Sequence, residues 1–199
     1  MPLNDGQHDD ISWTAIAGVF GSEDYDYARM DSSTHALTTI DVPHHEIHDG
    51  SHYFVAGYDE LGSAGTATFH VTTPDTTKWA HMTFVIESQL LSTVQIYEGA
   101  TYAGGGSAVS PINSDRNSSN TSGLTIRRDG TASVNGTMID SWKGGAAAVA
   151  NKPGAVGNAD RQNELILKQN TTYRYLVISG AASNTVSFSG RWYEHTNKG

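Results

Sequence analysis

Strict alternation of apolar and polar residues is the feature that most limits what this chain can become. In residues 66–73, Ala67, Phe69 and Val71 fall on one side and Thr66, Thr68, His70 and Thr72 on the other. Residues 81–88 repeat the pattern, with Met82, Phe84 and Ile86 against Thr83, Val85 and Glu87. Val94 and Ile96 share a side, as do Tyr173, Tyr175 and Val177, and then Val186, Phe188, Gly190 and Trp192. A period of two marks a strand with one buried face, whereas a helix needs apolar residues three and four apart. With 52–58, 124–126, 136–139 and 164–168, these runs predict about eight to ten strands and no long helix. The expected fold class is all-β, a jelly-roll-like antiparallel β-sandwich with Trp192 in its core. The short link 88–92 predicts a hairpin between 81–88 and 93–98. Gly104-Gly105-Gly106 reads as a loop, 114–122 as a polar loop, and 144–157, rich in Ala and Gly, as a surface loop.

Composition agrees with many turns. The 199 residues include 21 Gly, and 37% are hydrophobic, a mix that favours short strands over helices. There is no cysteine, which excludes disulfides and thiolate metal sites. No apolar run approaches the ~18 residues of a membrane helix. The first ten residues are too acidic and polar for a secretory signal. A soluble protein with no membrane partner is expected.

The first third differs from the rest. Residues 1–62 carry twelve Asp and Glu and one basic residue, Arg29, which sets that stretch at −11 and the remainder at +2. An acidic chain argues against direct nucleic-acid binding, which needs Lys and Arg to displace counterions. An acidic segment beside a near-neutral body suits docking on a basic protein surface, or plain solubility. Residues 1–40 read as an N-terminal extended arm and 41–199 as the sandwich domain. Trp13, Ile16 and Phe20, spaced like one or two helical turns, and Tyr25 and Tyr27 in the acidic run are its candidate contact residues.

Constellations that carry chemistry are few. His44, His48 and His52 are spaced i, i+4, i+8, which on a helix would give one zinc-binding face. Pro43 and Gly50 frame the run and predict a strand or tight turn instead, its imidazoles bonded to backbone. The HExxH order of zinc proteases is not met, and neither a G-x-S-x-G elbow nor a P-loop occurs. Glu87, Glu98, Glu164 and Glu194 are of the type a glycosidase pairs, yet each falls at a strand end, where exposure is the ordinary outcome. Trp79 and Trp142 border loops and are candidate sugar-stacking residues. No enzyme activity, no cofactor and no bound metal are expected.

Several segments, taken in their order, carry a resemblance to a known family. They are His45-Glu46-Ile47-His48-Asp49-Gly50-Ser51-His52-Tyr53-Phe54, Val71-Thr72-Thr73-Pro74, His81-Met82-Thr83-Phe84 and Ile96-Tyr97-Glu98-Gly99-Ala100-Thr101. Asn113-Ser114-Asp115-Arg116-Asn117-Ser118, Gly136-Thr137, Glu164-Leu165-Ile166-Leu167-Lys168, Asn170-Thr171-Thr172-Tyr173 and Trp192-Tyr193-Glu194 follow. Through them, residues 34–199 resemble the head decoration (cement) proteins of tailed bacteriophages. The resemblance implies a jelly-roll-like virion protein on the outer capsid surface, without enzyme activity or cofactor. It implies two partners: the major capsid protein, whose subunits it would bridge, and further copies of this chain, as a homotrimer. A tail or fibre adhesion component, and a carbohydrate-binding module with weak surface glycan binding, stand as alternatives. Residues 1–33 carry no such resemblance.

Overall fold

The computed structural model describes residues 41–145 and 164–196, and the backbone of 17–20 and 24–27. The chain divides into two units, Met1–Asp41 and Val42–Gly199. In the first, β1 (Ala17–Phe20) and β2 (Asp24–Tyr27) pair antiparallel, with Val19 opposite Tyr25. Ala17–Phe20 is thus a strand and not the helical turn its spacing suggested. Trp13 and Ile16 lie outside the described residues, as does most of the 144–157 segment. Phe20, Tyr25 and Tyr27 are placed by backbone register alone.

The second unit is a β-sandwich. α1 (Val42–His48) leads into β3 (His52–Leu61), β4 (Thr66–Thr72), β5 (Trp79–Ser88), β6 (Ser92–Glu98), β7 (Thr101–Val109) and β8 (Ile112–Asn113). Then come β9 (Thr125–Val134), β10 (Thr137–Gly144), β11 (Leu165–Leu167), β12 (Thr172–Ser179) and β13 (Asn184–His195). One sheet has the order β10-β6-β12-β4-β9-β7 and the other β11-β5-β13-β3-β8. The described pairings are all antiparallel. The all-β sandwich expected from alternation is therefore observed. Among the described residues no helix is long and apolar enough to cross a membrane.

Alternation also chose the core. Phe69, Val71, Val94, Ile96, Tyr175 and Val177 from the six-stranded sheet meet Val55, Met82, Ile86, Phe188 and Trp192 from the five-stranded one, all buried. The Phe69 and Phe188 rings lie 4.0 Å apart, and Phe84 stacks on Tyr175 at 4.2 Å. Burying side chains of this size contributes about 2 kcal/mol each. Gly57 sits opposite Phe188 in the ladder, and a Cβ there would run into the ring. The glycine is what lets that aromatic turn inward.

Two loop expectations fail. β5 and β6 do not form a hairpin: β5 pairs with β11 and β13, and β6 with β10 and β12. Residues 89–91 carry the chain from one sheet to the other. The cause is a buried polar node at that end of the sandwich. Asn184 Oδ1 accepts Ser88 Oγ–H at 3.1 Å and Leu90 N–H at 2.8 Å, and its Nδ2 donates to Ser92 Oγ at 2.9 Å and Ser179 Oγ at 3.1 Å. These bonds satisfy the crossing backbone in place of a hairpin ladder. Gly104, Gly105 and Gly106 are likewise no loop but the middle of β7, each with positive φ. A Cβ at Gly106 would collide with the backbone of Arg128 and Gly130. The glycines bend the strand where it must cling to its neighbour.

That bend has a purpose in the topology. β9 ends at Val134 and β10 begins at Thr137, yet β4, β12 and β6 lie between them in the sheet. Four strand spacings make about 19 Å, whereas a two-residue link reaches about 11 Å. Only residues 125–128 of β9 pair with β4. The rest pairs with β7 alone, leaves the sheet plane and crosses its outer face toward β6. Contacts mark the path. Gly130 O accepts Thr68 Oγ1–H at 3.0 Å, Tyr102 meets His70 edge-on, and Asn135 accepts from Arg174. Gly136 lies against the backbone of residues 98–100. Thr68 and His70, placed on the polar face by alternation, are buried beneath this ribbon.

Candidate functional site

The end of the sandwich opposite Asn184 gathers most of the ionisable side chains that are buried. It begins at α1, which corrects the expectation of a strand or turn there. Pro43 opens the helix, where its missing N–H costs nothing, and Gly50, with φ of 68°, closes it. Gly50 N–H bonds Ile47 O at 3.0 Å and Ser51 N–H bonds Glu46 O at 2.9 Å, the double bond of a left-handed helix cap. The two residues that seemed to forbid a helix are its start and stop.

The histidines of this run do not act together. His44 and His48 stack on the exposed side of α1, their Nε2 atoms 3.0 Å apart. Glu46 is buried on the other side and accepts from Ser51 Oγ. His52 has moved onto β3, where its Nδ1 lies 2.6 Å from Ser114 Oγ. Among the described residues no three His, Asp or Glu side chains converge to hold a metal ion.

The site itself lies on the outer face of the five-stranded sheet. Tyr193 of β13 stands in register between His52 and His81. Glu164, just before β11, accepts Tyr193 O–H at 2.8 Å and faces His81 Nδ1 at 2.8 Å. His81 Nε2 lies 3.0 Å from His195 Nε2, so that one ring donates and the other accepts according to their tautomers. Burial lowers the pKa of His195, and His81 adds to the effect while Glu46 and Glu164 oppose it. Burial likewise lowers His52, aided by Arg191 and opposed by Glu46. The cluster thus links two imidazoles, a carboxylate and a phenol in one hydrogen-bonded network.

Around this cluster, carboxylates and amides pin the loops. Glu194 accepts Trp192 Nε1–H at 2.9 Å, Gly123 N–H at 3.0 Å and Ser122 Oγ–H at 2.5 Å. Asn113 donates to Gly50 O at 2.8 Å and to Asn120 O at 3.2 Å, which ties the polar loop to the helix cap. Thr73 Oγ1–H reaches Lys168 O at 2.6 Å and also Thr171 O at 3.1 Å. Glu98 pairs with Lys168 and accepts Tyr173 O–H at 3.0 Å. The Lys168 bond holds the Glu98 carboxyl low, and burial pushes the Tyr173 phenol up to about 12.

Several sequence expectations change here. Glu194 is buried and the Glu164 side chain is 13% exposed, so neither is the surface acid expected of a strand end. Glu87 is exposed. Trp79 and Trp142 are both half-buried and lie on opposite sheets, so they share no platform. Trp142 packs against the core. The sequence reading missed Tyr193 and His195 as a pair. Their signal was present: they alternate out of phase with Trp192, on the face that should have been polar.

Comparison with protein-family models, curated proteins and solved structures finds no match for this chain.

Proposed function

We propose that this chain is a structural virion protein of a tailed phage. It would be a decoration, or cement, protein that binds the outer surface of the head and braces contacts between major capsid subunits. One observation carries the reading. The nine segments of the resemblance are scattered from residue 45 to residue 194, yet each contributes to one end of the sandwich. His45 to Phe54 builds α1, its cap and the start of β3. Asn113, Glu98, Thr73, Lys168, Tyr173, His81, Glu164 and Glu194 bond across that same end. Gly136 lies against residues 98–100. Segments gathered in one hydrogen-bonded end support a rigid architecture, and rigidity is what a brace requires.

A brace that binds only the assembled shell stabilises that shell by mass action. Repetition in a homotrimer multiplies weak contacts. The acidic residues 1–40, with Trp13, Ile16, Phe20, Tyr25 and Tyr27, are the proposed capsid-contacting arm. Purified protein is expected to co-sediment with expanded capsids of its phage and to raise their disruption temperature. Absence of both effects would sink the reading. Removal of residues 1–40 is expected to lower capsid occupancy while the sandwich still folds; full occupancy without them would remove the arm from the proposal.

A further inference from the structure

His70 occupies the middle of the six-stranded sheet, on the outer face and beneath the β7–β9 ribbon. It is 1% exposed, and no protein group bonds either ring nitrogen. Its ladder partners are Arg174 on β12 and Arg127 on β9. Residues directly opposed in an antiparallel ladder point to the same face, so three basic side chains form one row. The Arg174 Nε is also buried without a partner, and its Nη1 donates to Asn135. The Arg127 guanidinium lies over the Tyr102 ring at 5.2 Å, and that ring meets His70 edge-on, with centroids 5.3 Å apart.

Among the described residues no acid answers this row. Asp129 on the ribbon is committed to Thr68 N–H through Oδ1 and to Arg128 through Oδ2. The flanking residues on β4 are Thr68 and Thr72, and the far neighbour of Arg174 is Tyr97 on β6. A neutral imidazole tolerates this setting. An imidazolium would be a buried charge between two guanidiniums, with no counter-charge among the described residues and no path to solvent while the ribbon is seated.

We propose that His70 is a protonation-sensitive latch: neutral, it lets the β7–β9 ribbon seat on the six-stranded sheet; protonated, it drives the ribbon off. The ribbon is suited to such movement. Most of β7 is exposed, its three central glycines have positive φ, and its far half is bonded to β9 and not to the sheet. The uncovered face would present Thr68, Leu176 and the three basic side chains.

The direction of the effect follows from burial, which together with Arg174 holds His70 below the ordinary imidazole range. The open state takes its proton near the usual value of about 6.5, the closed state only at lower pH. Opening therefore gains about tenfold per pH unit below 6.5, until the closed-state value is reached. Hydrogen exchange of the amides at 101–105 and 130–134, corrected for intrinsic pH dependence, reads this directly on the full chain. Ribbon protection should fall about tenfold per unit from pH 6.5, while amides at 175–177 and 186–188 keep theirs. His70→Leu should abolish the change. Flat ribbon protection, or an unchanged response in His70→Leu, would overturn the proposal. Should that variant not fold, NMR titration of the His70 ring in the natural chain decides. A pKa below 6.5, with ribbon resonances moving in step, supports the latch. A value of 6.5 or higher overturns it.

Discussion

At one end of the sandwich Asn184 gathers Ser88, Ser92 and Ser179; at the other, His81, Glu164, Tyr193 and His195 link β5, β11 and β13 through groups that titrate. Both ends solve one problem, that of satisfying the polar groups the fold buries there. The neutral end solves it with hydroxyls and an amide, whose bonds do not depend on pH. The ionisable end solves it with imidazoles and carboxylates, whose bonds depend on where the protons are. At that end the imidazoles of His52 and His195 are held below their ordinary range by burial, and they carry the contrast with the neutral end.

The largest effect is expected at the neutral end. Asn184→Leu strands the Leu90 N–H and takes one partner each from the Ser88, Ser92 and Ser179 hydroxyls, at a cost of about 3 kcal/mol. Urea unfolding should show the same loss at pH 8 and pH 6; a loss that varied with pH would break the contrast. Next comes Glu194→Gln at the other end, which removes the charge from three hydrogen bonds while keeping the shape. About 2 kcal/mol should be lost, measured by thermal melts at pH 8.

A smaller effect concerns His52 and His195, whose folded pKa values lie below the unfolded one. A depressed imidazole contributes stability that is fully present above about pH 6.5 and lost as pH falls below it. Stability should be flat from pH 8 to 7 and drop by about 1 kcal/mol between 6.5 and 5.5. The double variant His52→Gln, His195→Gln should flatten that part of the curve. An unchanged slope would mean that the acid response lies elsewhere, with His70 the next histidine to replace. Least of all, Lys168→Ala at the exposed rim should cost about 0.5 kcal/mol and should matter less in high salt. A larger loss would make the rim pair with Glu98 a structural member of the network.

Much of the sandwich was legible because burial on one face writes itself into consecutive residues. Ala67, Phe69 and Val71 needed no partner to be recognised as inward, and Trp192 was placed by its phase with Val186 and Phe188. What failed depended on residues far apart in sequence. Ser88 and Ser92 look like turn residues, and only Asn184 reveals them as a crossing between sheets. His70 looks like a surface residue until the ribbon, some thirty to sixty residues later, closes over it. The ionisable end was least legible, because His81 and Glu164 are 83 positions apart and His81 and Tyr193 are 112. α1 is hidden for a local reason: Pro43 and Gly50 each look like breakers alone, yet their order, proline first and glycine last, is that of a helix with both ends specified.

The place of β13 has a consequence for biosynthesis. It is the last of the described strands, yet it stands in the middle of its sheet, between β5 and β3. Until residues 184–195 have left the ribosome, β3 and β5 each present an open edge, and Phe188 and Trp192 are missing from the space they later fill. Such a chain closes late, through pairings of long sequence separation, which are slow and expose aggregation-prone edges meanwhile. A polypeptide stopped short of Asn184 would lack the wedge that joins the two halves of the sheet, so translation that ends early should yield insoluble fragments and not a smaller working sandwich.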